Sequence, residues 1–253
     1  MVLFKNRTII KPGSKTIITF VKTISIVHVG RPLVPTILLP RPQSFSFLLY
    51  QLANGRSGVK KNRCMSSLIR YDIALFTKIN GVWHNGFFDW LFPLLRNEFF
   101  WSPLYLFLVV LMLLNYGRRG LYWILFFLVT FAIADMLSSS VIKPLVGRLR
   151  PCNDPLLADT VRSLVNCGSG KSFTSSHAAN HFALAMFAFR TFLFVPLVWR
   201  WSFLLWAFAI CYAQVYVGVH FPLDVTCGAI LGCLIGTATA SVFNNRTGLA
   251  ALA

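Results

Sequence analysis

The sequence predicts an all-α integral membrane bundle of about five transmembrane helices, preceded by interfacial amphipathic helices. Composition is the first reason. The 253-residue chain is 56% hydrophobic and only 12% charged, with a mean hydropathy of +0.66, whereas soluble domains carry about 25% charged residues. The second is the recurrence of apolar stretches close to the span length, which is about 20 residues for a helix. The third is that all but one of the links between them are short, so neighbouring helices run antiparallel.

Residues 1–64 stand apart. They hold 11 of the 24 Lys and Arg and no acid, and Pro12, Pro32, Pro35, Pro40 and Pro42 interrupt them. Lys22, His28 and Arg31 break the apolar stretch that begins at Ile17, which excludes a span. No apolar run leads to a small-residue cleavage site, which argues against a signal peptide. The segment reads either as a disordered basic arm near anionic lipid or as an extension ahead of a working protein that starts at Met65. The formal charge of +17 is concentrated there, so nucleic acid is not the expected partner.

Residues 65–98 are expected to form the interfacial helices. Ile69, Ile73, Phe76 and Ile79 follow helical spacing. Trp83, Phe87, Phe88, Trp90 and Phe92 form an aromatic cluster suited to the membrane boundary. The core, residues 99–243, carries apolar segments at 99–116, 121–142, 175–195, 199–219 and 222–243, and 244–253 is a tail. Gly228, Gly232 and Gly236 recur every four residues in the last segment, a close-packing face.

Alternation of the helices puts Lys143, His177, His220 and Asp224 at one end of the bundle. The opposite end carries Arg118, Arg119, Arg190, Arg200 and Arg246 without acids, so the positive-inside rule makes it cytoplasmic. The first end is then extracytoplasmic. It is basic too, through Lys143, Arg148, Arg150, Arg162 and Lys171, and binding of an anion would account for that.

Three clusters meet on this face: Lys143 to Pro151, Ser172 to His177, and Gln214 to Asp224. Together they have the chemistry of a phosphate site. Arg150 offers a planar fork of donors and Lys143 a mobile charge. Ser175, Ser176 and His177 open a helix whose free N–H groups and dipole favour an anion. Two histidines supply a nucleophile or base and an acid near neutral pH. Asp224, four residues after His220, is placed to take an imidazole N–H and support charge on that ring.

These clusters resemble the three signatures of the type 2 phosphatidic acid phosphatase superfamily, K-x6-R-P, P-S-G-H and S-R-x5-H-x3-D. The first matches at Lys143, Arg150 and Pro151. The second matches at Ser175 and His177, with Thr174 for Pro and Ser176 for Gly. The third matches at His220 and Asp224. The resemblance implies a membrane phosphatase acting on a lipid phosphate or pyrophosphate, without cofactor or metal. It implies that His220 is the nucleophile that becomes phosphohistidine, Asp224 orients it, and His177 protonates the leaving oxygen. Lys143, Arg150, Ser175 and the Ser176 backbone would hold the phosphoryl oxygens, with Gln214 at the edge of the set. The short chain resembles bacterial members, which points to an inner membrane, with an isoprenoid pyrophosphate as the first substrate expectation.

The departure from the pattern is Gln214, where the family carries Arg, and Ala213, where it carries Ser. Loss of a charged donor costs several kcal/mol of transition-state stabilisation, about 3–4 kcal/mol for oxyanion-hole deletions. Arg148 and Lys171 are the candidates to compensate. The alternative is a catalytically weakened or silent lipid-phosphate-binding protein. A channel is disfavoured because it would spread charges across the bilayer depth, whereas the charges of the polar clusters, all but Asp135, gather at one end. Among the remaining residues, His181 is expected to pack or support His177 rather than join it on a metal, since HAANH lacks the Glu of a zinc helix. Asp135 is expected to hydrogen-bond Asn180 or His181. Gly168 to Ser172 looks like a P-loop tail, but Val165 stands where its first Gly belongs. Cys152 and Cys167 flank the long loop and are either a disulfide or free thiols.

Overall fold

The structure is a computed structural model describing residues 59–157 and 159–249, with side chains from Ser67 onward. The arm or extension expected for the first 64 residues lies outside the described residues up to residue 58. Helix α1, Val59–Thr77, begins before Met65 and continues through it. Among the described residues there is no strand.

Helix α1 passes into a π-helical turn, Lys78–Val82. Asp72, Phe76 and Ile79 share its buried face, while Ile69 is exposed. Helix α2, Gly86–Leu95, starts where the Asn85 side chain accepts the Phe88 N–H at 2.9 Å. It turns Phe87 and Trp90 outward and buries Phe92 against Phe88 and Tyr216, with ring centroids 4.8 and 4.6 Å away.

Helix α3, Ser102–Asp135, holds the first and most of the second expected apolar segment. Gly117 lies inside it with φ 51° and ψ −121°, a conformation that glycine tolerates best. A Cβ on Gly120 would lie 1.9 Å from the Met112 carbonyl oxygen. The Tyr105 and Phe127 rings are 6.5 Å apart, whereas 22 residues of straight helix would separate them by about 33 Å. The chain therefore reverses at Gly117, and α3 is a hairpin of two antiparallel arms.

A π-helical stretch, Met136–Ile142, follows, and the short helix α4, Lys143–Val146, leads into the long loop. Single π turns of this kind recur at functional sites. Here Ser138 and Ser139 donate to the Asp135 carbonyl as the register shifts ahead of Lys143. The remaining helices are α5, Ser176–Thr191, α6, Leu197–Tyr216, and α7, Pro222–Arg246. Their ends differ from the expected ones for local reasons. Helix α5 stops at Thr191, ahead of the turn to Pro196, which sits at the start of α6. Helix α6 ends at Tyr216, because Gly218 adopts φ 89°.

Two stretches, Glu98–Asn153 and Pro222–Arg246, are long and apolar enough to cross a membrane. The first contains the α3 hairpin. The expected spans at 175–195 and 199–219 fold as α5, only 16 residues long, and α6, which carries Arg200 in its first turn, and neither passes that test. Large side chains stay uncovered around the bundle, among them Leu114 (80% exposed), Leu205 (66%) and Leu234 (65%). Apolar exposure on this scale marks a surface that meets lipid or a partner.

Helices α5 and α7 form the most extensive contact. A Cβ on Gly228, Gly232 or Gly236 would lie 2.6, 2.3 and 2.3 Å from the carbonyl oxygens of Ser175, Ala179 and Ala183. The expected glycine face is therefore the seam along which two backbones touch. The α3 hairpin closes on it through Trp123 Nε1 to Thr191 Oγ1 and Thr130 Oγ1 to Thr239 Oγ1, both 2.8 Å.

Candidate active site

The seam fixes the ends of α5 and α7 against each other. The Ser175 N–H donates to the Asp224 carbonyl at 3.1 Å, and the Ser175 hydroxyl caps α5 by accepting the Ala178 N–H at 3.4 Å. On the other side, α6 ends in a turn that returns the N–H groups of Val219 and His220 to the Gln214 carbonyl, both at 3.3 Å. Gly218 permits that turn. It has φ 89°, and a Cβ there would meet the Arg162 carbonyl at 2.8 Å, so the long loop closes directly over it.

His220 is 2% exposed and Asp224 fully buried. The Asp224 carboxylate accepts from Arg148 Nη1 at 2.7 Å, from the Phe221 N–H at 3.0 Å and from the Ser172 hydroxyl. The Nδ1 of His220 lies 3.8 Å from Asp224 Oδ2. That is an ion-pair distance, longer than a hydrogen bond, so the direct imidazole N–H bond expected from the sequence is not made. The Ser172 hydroxyl stands between them, 3.3 Å from Nδ1. Burial pushes the His220 imidazole below its ordinary pKa of 6.5, while Asp224 pulls the other way. The larger of the two effects, burial, favours the neutral ring.

Arg148 does not reach into the site as a free cation. Its second guanidinium nitrogen lies 2.6 Å from Asp72, and it sits 4.0 Å over the Phe221 ring. Asp72 also accepts the Leu223 N–H at 2.8 Å. Asp72 and Ser172 are the partners that sequence reasoning left without a role. Asp72 had a signal, an acid on the helix face that carries Phe76. Arg162 is likewise occupied, by Asp89 at 2.8 Å and by Asn80. Lys171 is exposed.

The loop that carries Arg150 is stapled. Cys152 and Cys167 form a disulfide with Cα atoms 6.1 Å apart. Arg150 donates to the Cys167 carbonyl, Asn153 to the Gly168 carbonyl at 2.9 Å, and the Ser172 N–H to the Arg148 carbonyl at 2.8 Å.

His177 lies on the first turn of α5, and its electrostatic neighbours are His181, Arg96, His220 and Lys143. Those of His220 include Asp224, Arg150 and Lys143. The three clusters therefore share one neighbourhood. Ser176 Oγ, Thr174 Oγ1, Arg150 Nε and both amide atoms of Gln214 are buried without a protein partner. Buried polar atoms are normally paired, and such a concentration suits a polyanionic ligand. Gln214 is fully buried. Asp135 accepts from Asn180 at 3.0 Å, and His181 pairs through Nδ1 with the His177 carbonyl at 2.8 Å, so both take supporting places. No cluster of three or more metal-ligating side chains occurs among the described residues. Beside Ser176 and His177 opens a cavity of about 570 Å³, with Tyr105, Phe127, Phe131 and Leu184 on its apolar walls.

Comparison with known proteins places the chain in a family. The profile of the PAP2 superfamily matches residues 122–248. The chain is 36% identical over 166 residues to the lipid A 4'-phosphatase of Bacteroides thetaiotaomicron, covering 64% of this chain and 72% of that protein. The crystal structure of Aquifex aeolicus LpxE superimposes with a TM-score of 0.51 at 25% identity, over 67% of this chain and 94% of that one. The PAP2-type phosphatidylglycerolphosphate phosphatase of Bacillus subtilis superimposes with a TM-score of 0.55 at 19% identity, over 80% and 94%, which shows the common fold. With the Lys143–Arg150, Ser175–His177 and His220–Asp224 pairs gathered at the ends of its packed helices, the chain belongs to the PAP2 superfamily.

Proposed function

We propose that this protein is a membrane phosphatase that removes a phosphate group from a lipid through a phosphohistidine on His220, without a metal. The observation that carries this is a buried His220 beside an Asp224 carboxylate that accepts from Arg148, Ser172 and a backbone N–H. In the first step the free imidazole nitrogen of His220 attacks phosphorus and the bond to the lipid oxygen breaks. His177 gives its proton to that oxygen. Asp224 and Ser172 face the Nδ1 side and stabilise the charge that develops on the ring. In the second step water attacks the phosphohistidine, His177 takes the proton, and orthophosphate leaves. Lys143, Arg150, Ser175 and the N–H groups at the start of α5 meet the phosphoryl charge, which is electrostatic preorganisation.

The similarity to a lipid A 4'-phosphatase favours a phosphate monoester on a glycolipid over the isoprenoid pyrophosphate expected from size. The apolar cavity beside His177 suits part of an acyl chain. The helices α3 to α7 supply five membrane passes, with α1 and α2 in the headgroup layer, and the site faces the extracytoplasmic side of a bacterial inner membrane. The second reading, a silent binding protein, rests on Gln214.

Phosphate release by the purified full chain should be followed with lipid A, phosphatidylglycerophosphate, phosphatidate and an isoprenoid pyrophosphate, with and without EDTA. We expect the lipid A phosphate to be preferred, EDTA to be without effect, and His220→Ala to lose about 10⁶-fold in kcat, as removal of a nucleophile does. Binding without release from any of the four would favour the silent reading.

A further inference from the structure

We propose that Arg96 is a further phosphate-binding residue of this site, supplying the positive charge that position 214 lacks. The inference rests on the phosphatase reading above. Arg96 closes α2, its N–H bonded to the Phe92 carbonyl at 3.2 Å. That helix is far in sequence from all three motifs. Among the described residues its guanidinium has no carboxylate within ion-pair distance. Its Nε is buried and unpartnered.

Arg96 is half-buried, and drawing an arginine out of water is costly unless it is paired. Here the situation is less favourable still, because Arg150 is among its electrostatic neighbours and it acts on His177 as well. Burial first, and then the Arg150 charge, press its pKa below the ordinary value. Arg148 and Arg162, the other loop arginines, are each neutralised by aspartates. Arg96 and Arg150 are not: Arg96 is an electrostatic neighbour of His177, on the first turn of α5, and Arg150 one of His220. Glu98, two residues on, lines the same cavity as Ser176 and His177. An incoming phosphate dianion would relieve the repulsion between the two guanidinium groups and receive donors from both. Gln214 leaves the third motif neutral, so the charge arrives from a different element.

The test uses the purified full chain with Arg96→Gln, Arg96→Lys and His220→Ala, measuring lipid phosphate release and inhibition by orthovanadate. Arg96→Gln is expected to raise the inhibition constant about tenfold and lower kcat/KM about 100-fold, as loss of a charged donor to a phosphoryl group does. Arg96→Lys, which keeps the charge but not the fork, is expected to fall between it and the wild type. Should Arg96→Gln fail to fold, the unaltered protein gives the answer: orthovanadate should slow phenylglyoxal modification of Arg96, mapped by mass spectrometry. A folded Arg96→Gln protein with wild-type constants, or modification at Arg96 indifferent to orthovanadate, overturns the assignment. If His220→Ala silences release while Arg96→Gln does not change it, only this inference fails. If His220→Ala leaves release intact, the phosphatase mechanism itself fails.

Discussion

Arg148 lies two residues before the motif arginine and on the sequence alone looks like a spare phosphate ligand. In the structure it holds two carboxylates, Asp72 at 2.6 Å and Asp224 at 2.7 Å, both nearly inaccessible. Its role is therefore to position Asp224 and to keep two acids in close quarters. Arg148→Ala is expected to destabilise the protein by about 3 kcal/mol, the scale for breaking a buried pair by removing one partner. Adding Asp72→Asn should restore part of that loss, since one uncompensated charge goes with it. Thermal unfolding in detergent measures both, and an Arg148→Ala midpoint equal to wild type would remove the positioning role. The motif residues were legible because their chemistry and spacing are unusual together. Arg96 was not, because it is a common residue type brought to the site from many residues away, while Asp72 showed only as an acid on the helix face that carries Phe76 and Ser172 only as a member of the second cluster with no role of its own. Only tertiary contact tells Arg148, which is paired, from Arg96, which is not.

At the scale of elements, the sequence pattern gave the hairpin at Gly117 and the glycine face of α7, since both are written in residues with few other uses. It could not give the π turn before Lys143, which leaves no mark on hydrophobic period, nor the early end of α5. The α5–α7 seam links packing to chemistry in a graded way. Gly228 touches Ser175, at the site, while Gly236 touches Ala183, two turns away. An added Cβ at either place meets backbone at 2.6 Å or less, and overpacking of this kind costs about 1–3 kcal/mol. Gly228→Ala and Gly236→Ala should therefore lose similar stability. Activity should separate them: Gly228→Ala moves the α5 cap and lowers kcat about tenfold or more, because misplaced donors weaken transition-state contacts, whereas Gly236→Ala leaves kcat within about twofold, being far from the chemistry. Equal kcat values in two folded variants would disconnect the seam from the site.

For the whole molecule, the arrangement of charge sets which leaflet the site faces. The turn between the α3 arms carries Arg118 and Arg119, both exposed, and the α5–α6 link is flanked by Arg190 and Arg200. These are the ends that the positive-inside rule assigns to the cytoplasm. Of the basic residues at the other end, Arg148 and Arg162 are held by aspartates, while Lys143 and Arg150 are the ones proposed to meet the phosphate. On the proposed reading the two basic faces no longer conflict, and the Cys152–Cys167 disulfide is expected on the side of the membrane where disulfides persist. Single reporter cysteines test this, with Cys64, Cys211, Cys227 and Cys233 replaced and the Cys152–Cys167 bridge kept. Ser163→Cys, exposed in the long loop, should react with a membrane-impermeant maleimide in intact spheroplasts. Arg118→Cys should react only after the membrane is opened. The reverse pattern would put phosphate release in the cytoplasm, and the basic loop residues would then be obeying the positive-inside rule and would no longer call for an anion.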